Sequence, residues 1–282
     1  MRLLVTGAGG MLGREVTAAS HSRGHEVVAL ARPALDITDS VAVEEAIARY
    51  EPDAVINCAG FTDVDGAEDD EAGATLVNDE GAALLAGAAA SVGAKVVYPS
   101  SDYVFDGSAR RPYVESDIPS ALSAYGRSKQ AGETSVAVAN PRHFIVRSSW
   151  LFGLGGKNFV ETMLRLGSEQ TEILVVSDQV GCPTYTRHLG HALAQLVKGD
   201  EFGIHHIAGG GHCSWYEFAQ EIFDQAGLEC RVMSATSDML ARKASRPPYS
   251  VLGTERRNGI ALPHWRDGLA AYLAERELEA AA

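Results

Sequence analysis

The chain predicts an α/β fold, a doubly wound parallel sheet with a smaller lobe built from the C-terminal half. Three observations carry this expectation. Short apolar runs alternate with helix-periodic segments through residues 1–147; a glycine-rich turn follows the first run and opens the first helix; beyond Ser149 the alternation loses its regularity. The 282 residues suit one large domain with a smaller lobe, and 46% hydrophobic residues can fill such a core, which excludes disorder as the main state.

The elements follow in order. Residues 2–6 are an apolar run ending in Gly7-Ala8-Gly9-Gly10-Met11-Leu12-Gly13, after which Leu12, Val16 and Ala19 recur at helical spacing. A second buried-type strand covers 26–30. Asp39-Ser40 can cap a helix whose Val43, Ile47 and Tyr50 share a face and which Pro52 stops. Residues 54–59 read as a third strand, 80–91 as an alanine-rich helix closed by Gly93, and 95–98 as a fourth strand. A long loop with Asp106-Gly107, Pro112 and Pro119 then leads to a helix over 125–138 and a strand over 144–147. Further on, helices are expected at 159–166, 188–196 and 215–226, strands at 173–176 and 204–207, and an alanine-rich helical tail at the end.

Asp and Glu number 37 against 24 Lys and Arg, and the formal charge of −13 excludes a general nucleic-acid or anionic-membrane binder. No run approaches the roughly 20 apolar residues that span a bilayer, and the chain enters its first strand without a signal-peptide core, so a cytoplasmic protein is expected. Cys58, Cys182, Cys213 and Cys230 lack C-x-x-C spacing and read as reduced thiols. His205 and His206 adjoin in a strand, face opposite ways and cannot readily share one metal. Gly155-Gly156-Lys157-Asn158 lacks the first glycine and the Ser or Thr of a phosphate loop, and no G-x-S-x-G elbow occurs.

Three groups of residues suggest chemistry. Gly7, Gly10 and Gly13 fit a G-x-x-G-x-x-G turn between strand and helix, where backbone N–H groups can meet a pyrophosphate; this makes the fold Rossmann-type. Tyr125 and Lys129 lie one helical turn apart on one face, so the lysine can lower the phenol pKa and Tyr125 can protonate an alkoxide. Ser101 falls at the carboxyl end of the fourth strand, where a hydroxyl can polarise a carbonyl or simply cap a turn.

In this order, the glycine turn, Ser101 and Tyr125-x-x-x-Lys129 resemble an extended short-chain dehydrogenase/reductase. Leu35-Asp36-Ile37-Thr38, the 57–65 segment Asn-Cys-Ala-Gly-Phe-Thr-Asp-Val-Asp, Ser101-Asp102-Tyr103-Val104-Phe105-Asp106-Gly107, Arg147-Ser148-Ser149-Trp150, the 178–184 segment Asp-Gln-Val-Gly-Cys-Pro-Thr and Arg246-Pro247 are similar to the motif series of the dTDP-4-dehydrorhamnose reductase family. The resemblance implies hydride transfer from a reduced nicotinamide to C4 of a dTDP-4-keto-6-deoxyhexose, with Ser101, Tyr125 and Lys129 catalytic, Tyr125 and Lys129 also at the cofactor and Lys129 holding the nicotinamide ribose. It further implies that Met11, Leu12, Asp36, Ile37, Ala59, Gly60, Phe61 and Thr62 line the cofactor, and that Ser101, Asp102, Tyr103 and Trp150 meet the nucleotide sugar. A reductase of another 4-keto-6-deoxyhexose and a non-catalytic subunit like that of methionine adenosyltransferase are the alternatives.

The chain departs from the family pattern at Ser101, which replaces a threonine, and at Gly60-Phe61, which replaces an Ala-aromatic pair. Where magnesium-using members carry acidic residues, Thr184 is followed by Tyr185, Thr186, Arg187 and His188, so no metal is expected. The second strand ends Val28-Ala29-Leu30-Ala31-Arg32 without a carboxylate before Asp36. Arg32 can meet a 2′-phosphate, stack on adenine or point to solvent; the first favours NADPH, with NADH also accepted in the family. A diphosphate on so acidic a chain needs local cations, with Arg246 first and Arg256 or Arg257 second, unless these arginines form surface ion pairs. The expected division is a dinucleotide-binding domain over 1–147 and a mainly substrate-binding lobe over 148–282, some of whose segments return to the first domain. The expected partner is a small-molecule nucleotide sugar, and a homodimer is one oligomeric state the chain could adopt.

Overall fold

The structure is a computed structural model and describes residues 1–280. At its centre lies β1 (Arg2–Thr6), whose Leu3, Leu4 and Val5 are fully buried because helices cover both faces of the sheet. Leu3 and Val5 enter one apolar layer and Leu4 the other, as the two-residue period of a strand requires. α1 (Met11–Ser22) leads to β2 (Glu26–Leu30), which pairs parallel with β1. α2 (Ser40–Tyr50) starts at Asp39, whose carboxylate accepts from the Val41 and Ala42 N–H groups, and it buries Val43 and Ile47.

The chain then crosses to the other side of β1. β3 (Ala54–Asn57) pairs with β1 opposite β2, so strand order reverses there and a crevice opens at the carboxyl ends of β1 and β3. The helix expected over 80–91 is longer and less regular: α3 (Glu71–Thr75), a π-helical turn at Leu76–Gly81, and α4 (Ala82–Ser91). Gly73, Asn78 and Gly81 hid its first half from the periodicity. Asp70 nevertheless caps α3 by accepting from Gly73 N at 2.9 Å. β4 (Lys95–Ser101) outruns its expected end at Tyr98 and carries Ser100 and Ser101 to the sheet edge. α5 (Ala124–Ala139) and β5 (His143–Ser148) follow.

The second half contains β6 (Leu151–Phe152), α6 (Phe159–Glu169), β7 (Glu172–Val176), β8 (Val180–Gly181), β9 (Thr184–Tyr185), α7 (Thr186–Leu196), β10 (Gly203–His206), β11 (Cys213–Ser214), α8 (Trp215–Ala226), β12 (Arg231–Ala235), α9 (Ser237–Leu240) and α10 (Trp265–Ala280). Two of these elements complete the first sheet. β10 pairs parallel with β5, giving the order β10-β5-β4-β3-β1-β2, and α7 buries Leu189 and Leu193 beside Val16 of α1. The rest encloses its own core, with Phe152, Met163, Phe218, Ile222, Trp265 and Tyr272 at its centre. β12 pairs parallel with β7, a strand that exposed polar residues, Arg231 and Ser234, concealed in the sequence.

His205 and His206 are buried, and both rings bond backbone carbonyls, His205 that of Glu201 and His206 those of Tyr113 and Gly253. The four cysteines are unpaired thiols. Among the described residues no helix is long and apolar enough to cross a membrane.

Candidate active site

Gly7 holds a φ of +60°, and a Cβ there would stand 2.4 Å from the Ala59 nitrogen; one on Gly13 would stand 2.3 Å from the Gly7 oxygen. Only glycine lets the turn, the start of α1 and the loop after β3 approach this closely. No side chain caps α1 at Gly10, so its first N–H groups are left for the crevice. A cleft of about 550 Å³ runs over this turn and is lined by Gly7, Gly10, Arg32, Asp36, Ile37 and the 58–62 segment, including Ala59, Gly60, Phe61 and Thr62. Asp36 accepts from the Thr38 N–H and hydroxyl, which hold its carboxyl below the usual range with Arg32 adding to the effect, and Arg32 stands 3.6 Å away with its side chain 82% exposed.

Two residues assigned to the cofactor, Met11 and Leu12, do not line this cleft, although they open α1 and carry its first N–H groups. Leu12 packs into the apolar layer beneath β1, because its position on α1 faces the sheet. Met11 sits beside the cleft under the 153–158 loop, with Asn158 Nδ2 3.8 Å from its sulfur.

At the edge of β4, Ser101 Oγ accepts from Tyr103 N at 3.1 Å and donates to Asp102 Oδ1 at 3.1 Å. Ser123 caps α5 by accepting from Gly126 N, which sets Tyr125 in the first turn; it packs, as Phe61 does, against the small cluster of Ala67, Ala74 and Ala124, and its ring meets Tyr103 edge-on at 6.1 Å. Phe61 lines the glycine-turn cleft and Tyr103 a second cleft, so Tyr125 shares its alanine cluster with a residue of the first and a ring contact with a residue of the second. One turn on, Lys129 is 6% exposed, donates from Nζ to the Pro99 carbonyl at 2.7 Å and lies 4.2 Å from the Tyr98 ring centroid.

The expectation that Lys129 lowers the Tyr125 pKa is corrected by this geometry. Burial pushes the phenol up to about 12, Ser101 opposes the rise and Asp102 adds to it, while the Lys129 ammonium is turned to Pro99. Burial also brings Lys129 down to about 7 against the pull of Glu133. Beneath it, Arg147 and Glu133 form a buried two-point ion pair at 2.6 and 2.9 Å, and Ser100 donates to the same carboxylate at 2.5 Å, joining β4, β5 and α5.

Asn78 was not legible in the sequence. Its amide accepts from Phe61 N at 2.9 Å and donates to the Phe61 carbonyl and to Ser128 Oγ, both at 3.0 Å, fixing the cleft loop to α5. The π-helical turn that presents it leaves no periodic signature.

The second cleft, about 750 Å³, is bordered by Val64, Tyr103, Gln179, Trp215, Arg242 and Arg246. Arg246 is held by two bonds to Asp65, at 2.9 and 3.0 Å. Arg242 lies 3.5 Å from the same carboxylate, and Lys243 pairs with Asp69. Trp150, at a φ of +49°, stacks on Trp215 with centroids 3.5 Å apart, and Trp215 is the ring that reaches the cleft. Asp102 is 2% exposed and lines neither cleft, its second oxygen accepting from Ser250 Oγ at 2.6 Å. Arg256 donates to the backbone carbonyls of Glu201, Phe202 and Ile204, which removes it as a diphosphate ligand, and Arg257 is exposed outside the cleft. Arg187 pairs with Glu275 at 2.7 Å beside Glu15.

A Rossmann-type parallel sheet whose strand order reverses beside a glycine turn is the architecture of a dinucleotide-binding protein. The chain belongs to the dTDP-4-dehydrorhamnose reductase family: residues 1–278 match the family model described as RmlD substrate binding domain. It is similar to the spore coat polysaccharide biosynthesis protein SpsK of Bacillus subtilis, 42% identical over 277 residues and 98% of each chain. A dTDP-4-dehydrorhamnose reductase of Streptomyces griseus is 45% identical, over 95% of this chain and 91% of that one. The solved dTDP-4-dehydrorhamnose reductase of Bacillus anthracis in complex with NADP is 37% identical, with a TM-score of 0.94 over 97% of this chain and 99% of that one.

Proposed function

We propose that the protein reduces the C4 ketone of dTDP-4-dehydro-6-deoxy-L-mannose, dTDP-4-dehydrorhamnose, to dTDP-L-rhamnose with NADPH. The observation that carries this reading is Tyr125, which shares an alanine cluster with Phe61 of one cleft and meets the ring of Tyr103 of the other, with Ser101 facing its phenol. The glycine turn, whose close approaches leave no room for a Cβ, fits a dinucleotide pyrophosphate. NADPH supplies the hydride to the carbonyl carbon when bound.

The chain's own residues supply the rest. With its pKa near 12, Tyr125 stays protonated at neutral pH and gives its proton to the carbonyl oxygen as negative charge develops there. Ser101 donates a hydrogen bond to the same oxygen. Lys129, desolvated and bonded to Pro99, lies close enough to Cys58 of the first cleft to act on its thiol, and its ammonium has further hydrogens to give the dinucleotide there. Gly7, Gly10, Arg32, Asp36 and the 59–62 segment hold the dinucleotide; Tyr103, Trp215 and Arg246 hold the nucleotide sugar, Trp150 acting through Trp215. Residues 1–147 serve mainly the first ligand and 148–282 mainly the second.

The test is turnover of dTDP-4-dehydrorhamnose with nicotinamide oxidation, followed by NMR of the product. Stoichiometric dTDP-L-rhamnose is expected. No oxidation, or a product of the opposite C4 configuration, would overturn the assignment.

A further inference from the structure

A serine hydroxyl has one hydrogen to give, and Ser101 directs it inward to Asp102 Oδ1 while accepting from Tyr103 N. The other Asp102 oxygen accepts from Ser250, which is 1% exposed. Ser250 is fixed in turn, its N–H donating to the Val180 carbonyl at 2.8 Å, and Val180 N donates to Pro248 O at 2.9 Å. The titratable groups facing Asp102 are Tyr103 after β4, Tyr125 on α5 and Cys182 after β8; no cation is bonded to it. A carboxylate in this position draws the Ser101 hydrogen away from the cleft. A protonated Asp102 is itself a donor, and Ser101 is then free to turn its hydrogen outward.

We propose that Asp102, held by Ser250, is a positioning residue that sets whether Ser101 donates inward to a carboxylate or outward to the reacting carbonyl oxygen. The inference rests on the ketone-reductase reading above and extends it to two residues beneath the cleft. Burial raises the Asp102 pKa to about 7 and Ser250 holds it lower than burial alone would, so both states are populated near neutrality. Assistance by Ser101 is present on the acid side and withdrawn as pH rises through that value.

The experiment is the pH profile of kcat, under chemistry-limited conditions, for the wild type, D102N, S250A and S250T. In the wild type kcat falls about three- to tenfold across neutrality, the worth of one ordinary hydrogen bond. D102N carries an amide that donates to Ser101 at any pH, so its acid-side kcat is kept and the limb flattens. S250A removes a donor to the carboxylate and moves the limb to higher pH with KM unchanged, while S250T restores the wild-type profile. Should D102N not fold, the S250A and S250T pair decides the matter alone.

Lys129 also titrates near 7, but it bonds to Pro99, so a limb belonging to it would persist unmoved in every variant. A limb unmoved in S250A, or a uniform loss of activity at all pH values, would overturn the proposal. Absence of ketone reduction in the wild type would overturn the reductase reading itself. Carbon-13 NMR of the Asp102 carboxyl reads the same shift without turnover and must show its pKa raised in S250A.

Discussion

Replacing Tyr125 with Phe removes the proton donor and keeps the ring that packs against the alanine cluster and meets Tyr103. The expected result is a kcat lower by about 10²- to 10⁴-fold with an unchanged melting temperature, and Ser101→Ala should cost less because it removes one hydrogen bond. Single-turnover reduction together with thermal unfolding checks both. At the cofactor cleft, Arg32 is exposed and shares Asp36 only at 3.6 Å, so its guanidinium is available to a 2′-phosphate. Arg32→Ala should therefore lower the ratio of kcat/KM for NADPH to that for NADH, and an unchanged ratio would remove Arg32 from the site. Tyr125 and Lys129 were legible because helical spacing alone puts them on one face. Asn78 and Asp102 were not, since an irregular turn presents the first and a serine 148 positions away holds the second.

Among the elements, the core strands and the helices α2, α5 and α8 were readable because their caps and apolar periods agree, Asp39, Ser123 and Ser214 each accepting from a first-turn N–H. The short pairs β6–β9 and β8–β11 escaped the sequence because two residues carry no period. The loops that face the second cleft escaped it as well, for their order comes from ion pairs across the molecule. Asp65 binds Arg246 twice and accepts from Ala244 N at 3.0 Å, so one carboxylate shapes the 242–246 segment. Asp65→Ala should loosen that segment and raise KM for the nucleotide sugar several-fold while kcat holds. Steady-state kinetics varying the sugar, with NADPH saturating, checks this, and an unchanged KM would mean that Arg246 is placed without Asp65.

On the scale of the whole molecule, Arg187 puts a guanidinium between α7 and the Glu275 carboxylate of α10, close to Glu15 of α1. This half-exposed guanidinium supplies positive charge to these carboxylates, so turnover should survive exhaustive chelation; activity lost in EDTA and restored by magnesium would contradict this. The return of α7 and β10 to the first sheet has a further effect. A fragment ending at residue 147 leaves the edge of β5 unpaired and the Leu3, Val5 and Val16 layer uncovered where Leu189 and Leu193 belong. Expressed alone it should be insoluble or molten by near-ultraviolet circular dichroism, and a cooperative melt of the fragment would refute this.

On the ribosome the same interleaving sets a schedule. The nascent chain cannot close its first sheet until residues 203–206 have left the exit tunnel, so a parallel sheet assembled from contacts far apart in sequence waits with one edge bare while more than fifty further residues are made. During that interval synthesis rate and chaperone supply, rather than the stability of the finished fold, govern how much of the chain escapes aggregation.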